Sequence, residues 1–483
     1  MLRNLLSLGR ETEWVEYKHN WWQPDKLGDI VSSLANSALL HGESYGYIIW
    51  GVDDNLVVKG TTLDFKGLRY KNQSYEHYLR CHLTPKVPVD HFAWDHDGHR
   101  LEALRVSAAP SQPVTYKGEA HFRIGEHKKN LRDWPNVAKK IWTAETPSEF
   151  EHAYAADGLV PYDVISLLSV DTYFKLANMT PDFDPSRVAT LLLDGGVIVR
   201  DEQDRLAIPN YTALALARRL EQFPELRDKS PRLIFYKGKN KVEASRPEIR
   251  GQYGYAVGFN GLIKYMTDML PASEAIESVL RVETSLYPEV AIRELVANAL
   301  IHQDLTQSGT HPMIEVFSDR IEITNNGLPL IAPLRFIDEV PRSRNDALAD
   351  LMNKLKLFEG RGSGVKRVIT AAEAHQLPAP DFLQRHSHTV SVLYAPRPVS
   401  EMTKEERVRA CYQHASLKFV SNEYLTNTSL RDRFSLSSDG RGSTAANRII
   451  KDTVEAELIV PDVERGPNAR YVPFWAPELR GRA

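Results

Sequence analysis

Apolar positions along the chain switch between a helical and a strand period, and the switches mark its segments. Leu27, Ile30, Val31, Leu34 and Ala38 recur at intervals of three and four, which predicts a helix with one buried stripe and Asp25 as its cap. After His41-Gly42-Glu43-Ser44, the run Tyr47-Ile48-Ile49-Trp50-Gly51-Val52 predicts a buried strand that ends in the acidic turn Asp53-Asp54-Asn55. Strands at 101–106 and 121–124 and a helix at 134–141 close a first domain over 1–145. Residues 146–229 read as helices followed by a short hairpin at 197–199 and 206–208. Mixed strand and helix signals return over 230–398, up to the linker Ala395-Pro396-Arg397-Pro398. Residues 401–483 read as three helices (404–414, 422–427, 445–456) and a two-stranded wing. The expectation is an α+β, multi-domain chain.

Composition narrows the partners. The 60 Lys+Arg nearly balance 63 Asp+Glu, giving a formal charge of -3, so no chain-wide cationic field exists and any grip on nucleic acid is local. Cys81 and Cys411 are too few for a zinc cluster or a disulfide framework, which fits a reducing compartment. No apolar run approaches the roughly 18 residues of a membrane span, and Met1-Leu2-Arg3-Asn4 does not open a signal peptide. The expected location is cytoplasmic, with no membrane partner.

Chemistry concentrates first in Glu11-Thr12-Glu13-Trp14-Val15-Glu16-Tyr17-Lys18. Strand alternation puts Glu16 and Lys18 on one face. Converging carboxylates can hold a divalent metal that activates water, while a lysine offsets charge on phosphoryl oxygens; a solvated edge-strand face is the plainer reading of the same spacing. Glu11-x4-Glu16-Tyr17-Lys18, with Ala35-Asn36-Ser37, Gly51-Val52-Asp53-Asp54 and Phe122-Arg123-Ile124-Gly125, resembles the Schlafen/AlbA_2 domain. The resemblance implies that Glu11, Glu16 and either Asp53 or Asp54 are catalytic carboxylates holding Mg²⁺ or Mn²⁺, with Lys18 beside them, in a site that cleaves RNA in active members. The loop His41 to Gly46 replaces the family's Gly-Gly turn. Residues 115–142 carry seven basic against three acidic residues. Lys117, Arg123, Lys128, Lys129 and Arg132 are the candidate nucleic-acid contacts, and Lys139 and Lys140 add to the same stretch. Tyr17, Trp21 and Trp22 are either core or base-stacking residues.

A second concentration lies on the helical segment Ala291 to His302, where Glu294, Asn298 and His302 share one face at intervals of four. Asn can coordinate Mg²⁺ and Glu can orient or deprotonate a water, although a solvated helix face explains the spacing too. A hairpin at 313–324 leads into Asn325-Asn326-Gly327, and Gly360-Arg361-Gly362-Ser363-Gly364 opens a further helix. In this order they resemble the GHKL (Bergerat) ATP-binding α/β sandwich, in its RecG-like HATPase_c_4 branch. The resemblance implies ATP with Mg²⁺ or Mn²⁺, Glu294 as the water-activating carboxylate and Asn298 as a metal ligand. It places Asn326 and Gly327 at the Asp-x-Gly adenine contact, and Gly360, Gly362, Ser363 and Gly364 at the phosphates. His302 and Asp304 match a feature of the branch, which usually has Arg at Gln303. There is no P-loop and no helicase motor motif. The 146–229 segment and the 401–483 segment resemble winged helices, the latter offering Arg431, Arg433, Arg441, Arg448 and Lys451 to phosphates or to a groove.

Together these resemblances imply a nucleotide-regulated, metal-dependent nuclease of the bacterial Schlafen type, acting on RNA, tRNA among them, or on single-stranded DNA, in phage defence or stress response. A homodimer or higher homo-oligomer is expected. The alternatives are an ATP-binding, DNA-binding transcriptional regulator without nuclease activity, and an ATPase scaffold that recruits a partner.

Overall fold

The computed structural model describes residues 11–43, 45–53, 55–96, 98–143, 147–270, 272–277, 280–358, 362–385, 387–463 and 469–476. The chain divides into two compact units, 1–146 and 147–483. Mixed helices and open sheets make it an α+β, multi-domain protein. Among the described residues no helix is long and apolar enough to cross a membrane.

In the first unit, β1 (Val15–Lys18), α1 (Pro24–Leu40), β2 (Tyr45–Trp50), β3 (Val89–His96) and β4 (His99–Ser107) lead to the hairpin of β5 (Glu119–Ile124) and β6 (His127–Asn130) and then to α2 (Pro135–Trp142). One sheet runs β1-β2-β4-β3, with β1 parallel to β2 in the register Glu16↔Ile48 and the remaining neighbours antiparallel. Alternation sends Ile48 and Trp50 to the α1 side and Ile49 to the other, where it meets Val15, Tyr17 and Ala103. Leu27, Val31, Leu34 and Ala35 of α1 cover the first face. Pro24 opens α1, and Asp25, expected as its cap, instead accepts from Tyr116 and Lys117. The helix is also stitched to 114–123 by polar side chains. Asn36 exchanges bonds with the Val114 backbone at 2.8 and 2.9 Å and donates to the His121 carbonyl, and Ser37 Oγ accepts from the Arg123 amide at 2.8 Å. Gly28 is required where α1 crosses Tyr116, since a Cβ there would lie 2.3 Å from the ring.

In the second unit, helices at 161–167, 170–176, 185–194 and 210–216 surround a three-stranded sheet. They lead into β7 (Arg232–Phe235), α3 (Tyr255–Met269), α4 (Glu289–Ile301), β8 (Met313–Val316), β9 (Arg320–Asn326), α5 (Asp346–Lys354), α6 (Gly364–Ala374), β10 (Asp381–Gln384) and β11 (His388–Tyr394). A six-stranded sheet has the order 249–250, β7, β8, β9, β11, β10, in which only β7 and β8 are parallel. One hydrophobic core runs from Phe150 through Leu214 and Phe259 to Leu295, Ile323 and Val368, so the boundary expected at 229/230 falls inside continuous packing. Glu151 reaches the start of α5, where its carboxylate accepts from the Ala347 and Leu348 amides at 3.1 Å each.

The chain ends in α7 (Lys404–Val420), α8 (Asn427–Arg433), α9 (Gly440–Glu455) and the antiparallel pair β12 (Ile459–Val463) and β13 (Arg470–Pro473). Thr403 and Glu406 form a reciprocal cap on α7. The middle helix begins at 427, where 422–427 was the expectation, because Thr426 supplies its cap and accepts from the Ser429 amide at 3.1 Å.

Candidate functional site

The N-terminal acidic segment folds onto β5. Glu11 Oε1 accepts from the Tyr17 amide at 2.9 Å, which draws the Glu11 side chain back along β1 toward Glu16. Lys18 Nζ lies 2.7 Å from Glu16 and 3.9 Å from Glu11. Arg123, carried in by β5, places Nη1 on Glu16 and Nη2 3.5 Å from Glu11. The result is a quartet of two carboxylates and two cations, with the Arg123 and Glu16 side chains only 3% and 9% exposed. Burial, with Glu16 as a second cause, raises the pKa of Glu11 against the opposing pull of the Tyr17 amide, Lys18 and Arg123. Burial also lifts the Tyr17 hydroxyl to about 12, with Glu11 adding to the shift.

This arrangement corrects one assignment. Arg123 is an internal counter-ion and no surface contact for nucleic acid. Asp53, expected as a third carboxylate, is spent on its own turn, accepting from the Asn55 and Val57 amides at 3.0 and 2.9 Å. Asp54 lies outside the described residues. Among the described residues no group of three or more His, Cys, Asp or Glu side chains is gathered as a metal ion requires. The two carboxylates present are already neutralised by two cations, so the donor set described does not fit a resident divalent ion.

Other basic residues of the 115–142 stretch are also paired. Lys117 bonds Asp25, and Lys128 Nζ lies 2.6 Å from Asp29, both partners on α1. Lys129, Arg132, Lys139 and Lys140 are exposed. The aromatic side chains beside them are Trp134 and Trp142, 41% and 61% exposed. Tyr17 is instead core, and Trp21 and Trp22 pack against the core, with the Trp21 carbonyl accepting from Trp50 Nε1 at 2.8 Å. Helical period places Lys139 and Trp142 side by side on α2, a neighbourhood that was readable once the helix was taken to run to 142.

In the second unit, a cavity of about 350 Å³ brings together Glu294 and Asn298 from α4 and His302, the residue just after it, with Asn325, Thr389, Gly362 and Gly364. Its apolar surface includes Ile301, Leu328, Phe336 and Phe382. The start of α6 approaches α4 so closely that a Cβ on Gly364 would lie 2.8 Å from Glu294 Oε2 and 3.6 Å from Asn298 Nδ2. Gly362 has φ +70° and rests against Pro341. Arg367, one turn into α6, sets Nη1 2.7 Å from Glu294 Oε1. Gly360 lies outside the described residues, and Ser363 Oγ is buried at the edge of the loop.

Alternation along β9 puts Asn325 on the cavity side where Asn326 was expected. Ile321, Ile323 and Asn325 share the buried face, and Asn325 pairs with Thr389 of β11 and lines the cavity, whereas Asn326 pairs with His388 and does not. Asn325-Asn326-Gly327 therefore keeps the three-residue spacing with Asn325 in first place. Thr389 Oγ1 donates to the Gly327 carbonyl at 2.8 Å. Asp304 takes no part in the lining. Its carboxylate accepts from Thr306 and Gln307, and its amide donates to the Asn326 carbonyl, which fixes the turn after α4 to β9. Two guanidiniums not singled out by sequence, Arg342 and Arg344, line the cavity, and Arg344 Nη2 donates to the Leu328 carbonyl at 2.6 Å. Burial pushes the His302 imidazole down to about 4, with Arg344 acting in the same direction, so the ring is neutral at physiological pH.

The C-terminal arginines divide as well. Arg441, Arg448 and Lys451 are exposed on α9, while Arg433 is buried and paired with Glu373 at 3.3 Å, so it is a docking residue within the unit.

Comparison with known proteins follows this division. Residues 11–132 match the family model described as Schlafen, AlbA_2, and residues 309–393 match HATPase_c_4, described as "Putative ATP-dependent DNA helicase recG C-terminal". The chain thus combines a Schlafen AlbA_2 region with a RecG C-terminal-type HATPase region. The second match starts after α4, so Glu294 and Asn298 are joined to it by the fold and not by the family model. No curated protein matches the chain. Among solved structures, the crystal structure of the DIP2311 protein from Corynebacterium diphtheriae is similar at 17% identity and a TM-score of 0.44, covering 100% of this chain and 97% of that one.

Proposed function

We propose that this protein binds a nucleotide, with ATP first among the candidates, in the cavity of its second unit and acts on nucleic acid through its first. The observation that carries the reading is the convergence of Glu294, Asn298, Gly364, Asn325 and Thr389 on one cavity, the last three of them within residues 309–393, where the family match points to an ATPase-like domain. About 350 Å³ lies within the range of small-molecule sites. The phosphate end would rest against Asn298 and the Gly364 end of α6, where the missing Cβ leaves a cradle. Magnesium bound with the nucleotide would supply charge neutralisation at its phosphates. The base would lie toward Asn325, Thr389 and the neutral His302. Arg367 holds the Glu294 carboxylate in place. Asn298→Ala in the full chain is expected to weaken ATP binding about tenfold or more, as loss of a hydrogen-bonding side chain to a charged group does; unchanged affinity by calorimetry would sink the assignment.

Cleavage of RNA or single-stranded DNA by the first unit is the finer reading of the Schlafen AlbA_2 match, and phage defence is the role that would follow from it. Its support is the convergence of Glu11 and Glu16 around Lys18. The donors among the described residues do not fit a metal. The neutralised quartet favours the other reading, a nucleotide-responsive nucleic-acid-binding regulator without cleavage. Incubating the protein with tRNA, single-stranded RNA and DNA, with and without Mg²⁺, Mn²⁺ and ATP, separates the two. Cleavage lost in Glu16→Gln supports a nuclease, and binding without cleavage under every condition supports the regulator.

A further inference from the structure

The walls of the cavity are not held by the HATPase region alone. Segment 328–344 supplies one wall, α6 a second and β10 a third, through Phe382. Helix α7, which belongs to the C-terminal segment, touches all three. Tyr412 donates its hydroxyl proton to the Leu334 carbonyl and accepts from Trp475 Nε1 at 3.1 Å, while the Arg335 guanidinium lies 5.7 Å from the Trp475 ring. Glu373, near the end of α6, sits 3.0 Å from His414 Nδ1 and 3.3 Å from Arg433 Nε. On β10, Asp381 pairs with Arg409 at 2.8 Å, and just before it the Pro380 carbonyl accepts from Gln413 at 2.8 Å. Arg409, Tyr412, Gln413 and His414 lie within two turns of one helix, so a single rigid rod spans the three walls.

We infer that α7 is a brace that couples occupancy of the cavity to the placement of the C-terminal segment. Helix α6 is the main lever. Its first residue, Gly364, faces Glu294 and Asn298, and its far end, Glu373, is gripped by His414 and Arg433. A ligand that moves the Gly364 end must move Glu373 or break its part-buried pairs with His414 and Arg433, so a shift at one end of α6 is opposed or transmitted at the other. Exposed Arg441, Arg448 and Lys451 on α9 are carried by the same packing, since α9 lies against α7 and Asp452 of α9 pairs with Lys404 at 3.0 Å. Linkage is reciprocal: an anionic partner on that face that favours one arrangement changes nucleotide affinity by the same factor by which nucleotide changes affinity for the partner. The identity of the ligand rests on the reading above; the brace does not.

The test uses the full chain, with Tyr412→Phe and Glu373→Gln, neither of which lines the cavity, and with Arg409→Lys as a third variant where either fails to fold. In the absence of any ligand, hydrogen exchange in 328–344 is expected to quicken about fivefold in Tyr412→Phe, with the first unit unchanged. ATP with Mg²⁺ is then titrated. The variants are expected to bind with an affinity altered about fivefold, and ATP is expected to slow exchange in 404–420 of the wild type but not of the variants. Wild-type exchange and affinity in the variants overturns the brace. Altered exchange in the ligand-free variants, together with no ATP binding by the wild type, upholds the brace and overturns the nucleotide assignment.

Discussion

The acidic cluster of the first unit and the polar cavity of the second contain similar side chains in opposite states of completion. Glu11, Glu16, Lys18 and Arg123 answer one another, and the interior of the quartet is closed by Arg123. Glu294, Asn298, His302 and Asn325 line a cavity of about 350 Å³, and Gly364 lets the start of α6 come close to Glu294 and Asn298 at its edge. Charged residues clustered in sequence therefore do not by themselves identify a ligand site. What separates the two regions is what the counter-charge leaves open: β5 carries Arg123 between Glu11 and Glu16, whereas Arg367 of α6 pairs with Glu294 and leaves Asn298, His302 and Asn325 lining a cavity.

That comparison breaks most readily at Arg123. Arg123→Ala leaves Glu16 buried beside a single cation, and about 3 kcal/mol of stability should be lost in denaturant unfolding of the first unit. A loss well under 1 kcal/mol would mean that the quartet is open to water and therefore to a metal. Next in size is Gly364→Val. The added methyl groups must displace Glu294 or the start of α6, which should weaken nucleotide binding by about 1 to 3 kcal/mol while the first unit melts unchanged; wild-type affinity would place the ligand elsewhere. The smallest effect concerns His302. Its folded pKa of about 4 lies below the ordinary 6.5, so the unfolded chain binds the extra proton and stability falls as pH drops from 6.5 toward 4. Denaturation of wild type and His302→Asn across that window should show a steeper decline in the wild type, and parallel curves would show that the imidazole is solvated.

Sequence reasoning reached whatever depends on near neighbours in the chain. The stripe of α1, a strand expected over 47–52 and found at 45–50, the shared face of Glu16 and Lys18 and the shared face of Glu294, Asn298 and His302 all follow from local period. Arg123 escaped it because a basic residue in a basic stretch looks like surface until β5 is laid against α1 by Asn36 and Ser37. The slip from Asn325 to Asn326 arose because a strand reverses its faces at every residue, so a register error of one exchanges lining for backing. Arg344, Arg367 and Thr389 arrive from separate elements, and no spacing in the chain announces that they meet Leu328, Glu294 and Asn325.

The bridge from Glu151 to the start of α5 has a practical meaning for anyone dividing this protein. Its carboxylate serves amide groups nearly two hundred residues downstream, and the apolar side chains around it belong to the same core as the cavity helices. A fragment beginning at 230 would lose this anchor, uncover the underside of the HATPase region and be prone to aggregate, whereas a cut near 146 severs no part of that core. Expression of the second unit as an autonomous piece should therefore begin before the helix Pro147–His152 that carries Glu151, although the HATPase match itself begins only at residue 309.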